Sequence, residues 1–369
     1  MDTKITTIQL ISGRWDRDNL SIARTATKLL NSLLPLTQHV VSITTNHRIP
    51  TNSNQVEQTI IPYSSGKRSL IRLTSILHHE IAVTKKVISC SDARVVLFCF
   101  GADLFVLPIL TAKILNKKVF IRADGRPSHY LRAMRYSKIK IAFFTLIERL
   151  IYPLVDRIVL EHPYMLYYFN YKQYQKKVVA IPLYIDSTLF KRSKDLKSRH
   201  FDFAFIGRFS PEKGIIEFIS ALQGLPSGIN ILVIGDGPLK NDIPWPNQCA
   251  LTYFPWVDHE AMPNFLNDIK ILVMPSYKEG LSNLLLESMA CGTPVLATPV
   301  GAAMDIVIDE KTGFIMENNS PECIAKNMIR ALNSPDLEQI AESGRRFVEG
   351  NFMLEGSVEK WRRVLRDVV

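Results

Sequence analysis

Along most of the chain, short runs of consecutive apolar residues alternate with longer stretches in which apolar positions recur at helical spacing. The first pattern suits a strand covered on both faces and the second an amphipathic helix. Their alternation predicts βαβ units built around parallel sheets. In the first half, ITTIQLIS (5–12), VVSITT (40–45), VVLFCF (95–100), KVFIRA (118–123) and DRIVLE (156–161) predict strands. LSIARTATKLLNSLL (20–34) and LFVLPILTAKIL (104–115) predict helices between them. In the second half, FDFAFIG (201–207), INILVIG (229–235), ILVMPS (271–276) and PVLATP (294–299) predict strands, with helical patterns in GIIEFISALQ and MPNFLND.

Between the two sets lies PLYIDSTLFKRSKDLKSRH, residues 182–200, which is polar, charged and irregular. It predicts a domain boundary near residue 190, with one α/β domain over 1–190 and another over 191–354. The last stretch, residues 355–369, places Trp361, Val364, Leu365 and Val368 on one side of a helix. A chain of 369 residues is comfortable for two such domains, each with its own core.

Charge changes this picture by separating the halves. Residues 1–190 hold 26 Lys/Arg against 12 Asp/Glu, a balance of +14, whereas residues 191–369 hold 19 against 23, a balance of −4. The basic half is suited to an anionic partner, and a solvated basic surface is the plainer alternative. The five cysteines, Cys90, Cys99, Cys249, Cys291 and Cys323, lack metal-site or disulfide-frame spacing and are expected to be reduced, as in a cytoplasmic protein. No signal peptide is expected from MDTKITTIQLISG. The most apolar run, VVLFCFGADLFVLPIL, is interrupted by Asp103 and is not expected to cross a membrane.

Candidate chemistry gathers in three loops that follow strands of the second half, where open parallel sheets bind ligands. They are GRFSPEKG (207–214), GDGP (235–238) and KEGLSNLLLESMACGTPV (278–295). In the third, Ser282 or Asn283 can cap a helix that is apolar almost all round. Its free N–H groups form an anion site of the kind that binds diphosphates, and Arg208 and Lys213 add cations. Glu279 can accept hydrogen bonds from ligand hydroxyls. Glu287, in the buried helix, needs a partner: ribose hydroxyls are one candidate and a neighbouring basic side chain is the other.

These loops, with Phe-Pro-Trp-Val at 254–257 and EGLSNLLLESMACGTPVLATPVGAAMDIV at 279–307, resemble the retaining glycosyltransferases of family 4 over roughly residues 200–335. The resemblance implies a GT-B fold, two Rossmann-like domains whose parallel sheets face a central cleft, with the final helix packed back on the first domain. It implies a nucleotide-sugar donor, UDP- or GDP-linked, held by the second domain. Arg208 and Lys213 would bind its diphosphate, Glu287 its ribose and Glu279 its sugar. Gly207, Gly235, Gly237, Gly280, Leu281, Ser282 and Asn283 would line the donor. In the implied mechanism the diphosphate leaves on the face that the acceptor hydroxyl attacks, and neither metal nor other cofactor is required. The Asp16-Arg17-Asp18 triplet looks like a metal-binding DxD but follows the first strand, far from the donor motifs, and is expected to be a solvated loop.

The first half departs from the family pattern. Its first post-strand loop, SGRWDRDNLS, has Gly13 alone where paired glycines are usual. Where many relatives carry a histidine, this chain reads VFIRADGRPSHY, so Asp124, His129 or neither takes that role. Arg122, Arg126 and His129 can meet an acceptor or donor phosphate, or belong to a turn around Asp124-Gly125. Residues 131–159 mix Arg132, Arg135, Lys138, Lys140 and Arg149 with a large apolar surface, which suits peripheral contact with an anionic membrane or a packed helix pair. The expected function is transfer of a hexose or N-acetylhexosamine to a glycan, lipid-linked oligosaccharide or glycolipid. A soluble sugar or sugar phosphate acceptor, and an inactive donor-binding protein, are the alternatives. Nucleic acid is not expected as a partner: no stacking platform or reading helix is visible.

Overall fold

The structure is a computed structural model that describes residues 5–13, 20–63, 69–246 and 250–367. The chain divides into two units: unit 1 comprises Met1–Tyr184 with Leu354–Val369, and unit 2 comprises Ile185–Met353.

Unit 1 is built from β1 (Ile5–Ser12), α1 (Leu20–Leu33), β2 (Thr37–Thr45), β3 (Val56–Ile61), α2 (Ser69–Ser89), β4 (Ala93–Cys99), α3 (Val106–Ile114), β5 (Lys118–Arg122), α4 (Pro127–Ala133), α5 (Lys138–Ile151), β6 (Arg157–Leu160), α6 (Tyr164–Tyr168) and β7 (Val178–Ala180). Its seven strands are ordered β3-β2-β1-β4-β5-β6-β7, all parallel. Alternation along β1 serves two cores. Ile8 and Leu10 pack with α1 on one face, and Ile11 packs with Val83 of α2 and Ile109 of α3 on the other.

Unit 2 contains β8 (Phe201–Ile206), α7 (Ile215–Ala221), β9 (Asn230–Ile234), β10 (Ala250–Phe254), α8 (Met262–Leu266), β11 (Ile269–Met274), α9 (Asn283–Ala290), β12 (Val295–Ala297), α10 (Ala303–Ile306), β13 (Phe314–Ile315), α11 (Pro321–Leu332) and α12 (Leu337–Asn351). Its six parallel strands are ordered β10-β9-β8-β11-β12-β13. The strands after β8 run outward on one side and those after β11 on the other, so the connections diverge at the β8–β11 pair and open a ligand position beyond the strand ends.

The last helix, α13 (Leu354–Arg366), belongs to unit 1. Val358, Trp361, Val364 and Leu365 are buried against Leu29, Leu30 and Leu33 of α1. Each such side chain contributes about 1.5–3 kcal/mol relative to exposure. Ser357 adds a buried hydroxyl bond to Ser32 at 3.0 Å.

The central strands fall where the apolar runs predict them. Four strands escape the sequence reading: β3, β7, β10 and β13. All lie at or beside a sheet edge, and β7 and β13 are only three and two residues long, too short for a recognisable run. Cys90, Cys99 and Cys291 are buried free thiols and Cys323 is half-buried, whereas Cys249 and the Asp16–Asp18 triplet lie outside the described residues.

Candidate functional site

Because every strand of unit 2 is parallel, the loops after β8, β9, β10, β11 and β12 emerge on one edge. Backbone hydrogen bonds join the first three. The Phe209 N–H donates to Asp236 O at 2.9 Å, and the Gly235 N–H donates to Phe254 O at 2.9 Å. A Cβ at Gly235 would fall 1.9 Å from Gly207 O, so only glycine permits this approach. Gly237 lies in the same contact, beside the backbone of Phe209. The glycines of GDGP thus serve loop-to-loop packing in this arrangement.

Arg208 is exposed on this edge. Beside it, the Ser210 hydroxyl donates to Glu212 at 2.7 Å and, with Arg208 and Lys213 nearby, holds that carboxyl below its usual range. Lys213 reaches the loop after β11, where its Nζ lies 2.5 Å from Glu279 Oε1. The Ser276 hydroxyl donates to the same oxygen at 2.9 Å. Gly280 is exposed, and its carbonyl accepts from Ala302 N–H at 3.0 Å, tying this loop to the one after β12. Leu281 is half-buried and precedes the cap.

Ser282 caps α9, its extended backbone turning the Oγ to accept from Leu285 N–H at 3.4 Å. Asn283, the first helical residue, is exposed. One turn on, Glu287 is 5% exposed, and its Oε1 lies 3.1 Å from His259 Nε2. The His259 ring packs edge-on against Phe190, with centroids 5.1 Å apart. The basic neighbour that a buried Glu287 requires is therefore this histidine, which the sequence reading missed. Its signal was a lone His in FPWVDHE, just after a strand and just before a helical pattern.

The far end of α9 is anchored by buried Arg199. Its guanidinium donates to Ile269 O at 2.8 Å, Cys291 O at 2.9 Å and Thr293 Oγ1 at 2.5 Å. Burial and the charge of Arg192 lower Arg199 to about 10, since carbonyl groups rather than a carboxylate receive it. The edge of unit 2 therefore presents two cations, a free helix N-terminus and two carboxylates on a fixed frame. Such a set can hold an anion together with a polyhydroxylated group.

The corresponding edge of unit 1 carries the remaining predicted residues. The Gly13 N–H donates to Cys99 O at 3.1 Å, and a Cβ there would fall 2.3 Å from Phe100 O. Phe100 itself adopts φ 51°, a left-handed conformation rare for a bulky side chain. The Arg122 guanidinium lies 5.7 Å from the centre of the Phe100 ring and pairs with Glu161, at the end of β6. Asp124 is 3.8 Å from Arg122. Half of the Asp124 side chain is open, yet the surrounding protein displaces enough water to push its carboxyl up to about 6, against the pull of Arg122 and with a further push from Glu161.

The expectation that Arg122 and Arg126 offer free guanidiniums to a phosphate is corrected here. Both are buried and already paired. Arg126 donates to Glu148 at 2.6 and 3.0 Å and to Asn170 O at 2.8 Å, and Glu148 also receives the Ser128 N–H and hydroxyl. The physical reason is desolvation: a guanidinium lying among Tyr152 and Tyr171 must have a carboxylate with it. His129 is half-buried, its ring packed against Tyr168 and Phe169 at 5.2 and 5.4 Å.

Residues 186–347, nearly the whole of unit 2, match the family described as Glycosyl transferases group 1. The capsular polysaccharide biosynthesis glycosyltransferase CapM of Staphylococcus aureus is 31% identical over 175 residues, which cover 45% of this chain and 46% of that protein. The UDP-Gal:alpha-D-GlcNAc-diphosphoundecaprenol alpha-1,3-galactosyltransferase of Escherichia coli is 25% identical over 186 residues, 47% of each chain. The chain thus spans about half the length of the curated relatives it matches. Among solved structures, Anabaena Alr3699/HepE in complex with UDP and glucose aligns with TM-score 0.73 at 14% identity, covering 98% of this chain and all of that one. Sucrose-phosphate synthase from Thermosynechococcus elongatus aligns with TM-score 0.73 at 17% identity, over 98% and 99%. At these identities the likeness establishes the fold, which is GT-B.

Proposed function

From the match of unit 2 to the family described as Glycosyl transferases group 1, we propose that the chain is a retaining glycosyltransferase of family 4 that takes its sugar from a nucleoside diphosphate donor. The observation that carries this reading is the convergence of Arg208, Lys213, Glu279, the Ser282-capped start of α9 and Glu287 on one strand-end edge. In this reading the donor diphosphate replaces solvent around Arg208, Lys213 and the N–H groups of α9. Glu287 accepts from the ribose hydroxyls, with His259 holding its other contact. Glu279 orients hydroxyls of the transferred sugar, and its contacts with Lys213 and Ser276 hold it in place.

Chemistry then proceeds as negative charge builds on the departing diphosphate. Arg208, Lys213 and the helix N-terminus meet that charge in fixed positions, which is worth more in the transition state than in the ground state. The acceptor hydroxyl attacks the anomeric carbon on the face the diphosphate leaves, and its proton passes to the departing phosphate oxygen. No metal has a step in this scheme. Acceptor recognition is assigned to the edge of unit 1 around Asp124 and His129. The UDP and glucose bound by Anabaena HepE, and the UDP-Gal named for the E. coli relative, support a uridine donor over a guanosine one. The names of the capsular and diphosphoundecaprenol-linked relatives support a glycan or lipid-linked acceptor over a soluble sugar.

The test is thermal stability against UDP-, GDP-, ADP- and TDP-sugars, on wild type and on Glu287→Ala. A donor at a hundred times its dissociation constant stabilises by about 2.7 kcal/mol, which is readily measured. One nucleotide family shifts the wild type, and Glu287→Ala loses the shift. Shifts that survive Glu287→Ala move the donor elsewhere, and no shift with any nucleotide removes the reading.

A further inference from the structure

One face of unit 1 carries a pattern that the glycosyltransferase reading leaves unused. Along α5, Ile139, Phe143, Leu146 and Leu150 are all exposed, and Ile139 is 84% so. Their spacing puts them on one stripe of the helix. On α3, which packs beside α5, Ile114 is 80% exposed. Large side chains scattered singly on a surface need no explanation, but a contiguous stripe does.

The charges flanking the stripe have one sign. Between residues 127 and 155 the sequence has five Lys/Arg side chains, Arg132, Arg135, Lys138, Lys140 and Arg149, and one acid, Glu148. Glu148 is fully buried and neutralised by Arg126. The surface of this helical pair therefore presents cations without a compensating carboxylate. Arg132, Lys138 and Arg149 also rim an open groove of about 570 Å³, floored by Ile141, Ala142 and Leu146. An anionic headgroup over an apolar floor matches that combination.

We propose that α5 and the adjoining end of α3 dock on an anionic phospholipid surface, with the apolar stripe entering the acyl boundary and the five cations meeting headgroup phosphates. Charge complementarity decides between occupants. A second copy joined through the same patch would bring cations against cations. Nucleic acid would satisfy the cations but would leave Ile139, Leu146 and Leu150 without apolar partners or stacked bases. A membrane interface satisfies both halves of the pattern. No described helix is long and apolar enough to cross a bilayer, so the contact runs along the surface. The inference is independent of the catalytic reading, since it uses none of the donor residues.

The experiment is co-flotation of the full chain with vesicles of phosphatidylcholine alone and of phosphatidylcholine mixed with phosphatidylglycerol, at low and high salt. Wild type, Phe143→Asp and the double variant Lys138→Glu/Lys140→Glu are compared. All three positions are exposed, and an unchanged thermal midpoint confirms the fold of each variant. Wild type floats only with the anionic vesicles and is released by salt. Each variant binds about tenfold more weakly or worse, since every basic side chain near such a surface is worth roughly a fivefold change. The proposal is overturned if wild type stays at the bottom, floats equally on phosphatidylcholine alone, or is matched by both variants. Sedimentation velocity showing a wild-type dimer that Phe143→Asp dissociates, or DNA binding lost in the charge variant, would reassign the face to those occupants. Donor-induced thermal shifts on the same preparations report separately on the glycosyltransferase reading.

Discussion

The two units share an architecture yet treat charged residues at their strand ends in opposite ways. In unit 2, Glu279 has Lys213 and Ser276, and Glu287 has His259, while Arg208 stands in solvent. In unit 1, Arg126 and Glu148 saturate one another with help from Ser128 and Asn170, and Arg122 is buried and paired with Glu161. Charge beside a sheet edge is therefore not by itself a sign of ligand binding. What separates a site from a clamp is residual hydrogen-bonding capacity: Glu279, with Lys213 and Ser276 on one oxygen, can take more, whereas Glu148, receiving four donors, cannot.

Substitutions can break that comparison or sharpen it. The largest expected effect is structural. Glu148→Ala strands a buried guanidinium and two Ser128 donors, and should lower unfolding free energy by about 3–5 kcal/mol in urea titration. A stable Glu148→Ala protein without turnover would instead make the clamp part of the site. Next comes Lys213→Ala, where loss of a cation facing the leaving group should reduce kcat by about 10²–10³-fold, while the thermal midpoint stays close to wild type. Unaltered turnover there would remove Lys213 from the chemistry.

The smallest effect tests pH. Burial raises Asp103 to about 7, against an ordinary value near 4. The folded state thus holds this proton more tightly than the unfolded chain. The resulting stabilisation is complete below about pH 4 and is lost as pH rises through about 7. Asp103→Asn removes the loss, so it should stabilise the protein by roughly 1–3 kcal/mol at pH 8 and change little at pH 4. Denaturant midpoints at the two pH values check the sign, and equal effects at both would deny the burial argument.

Legibility in the sequence followed how locally each feature is determined. The doubly covered strands β4, β8, β9 and β11 announce themselves as unbroken apolar runs, because helices lie on both of their faces. The edge strands β3 and β10 are half-exposed and read as mixed segments. In the candidate site, Glu279, Ser282 and Glu287 were readable because one loop and the helix after it carry all three. His259 was not, since its meeting with Glu287 depends on α8 packing against α9. Glu148 and Glu161 were hidden for a related reason. Each stands in an apolar segment whose arginine partner is tens of residues away, and no local spacing connects them.

The helix α13 has a consequence for how this chain is made. Unit 1 leaves off at Tyr184 and resumes at Leu354, with all of unit 2 between. On a translating ribosome, the apolar side of α1 that receives Trp361 is synthesised first and its cover last. At ordinary elongation rates the roughly 330 residues between them take on the order of fifteen to sixty-five seconds. Throughout that interval, the part of this core that Val358, Trp361, Val364 and Leu365 complete lacks those four side chains.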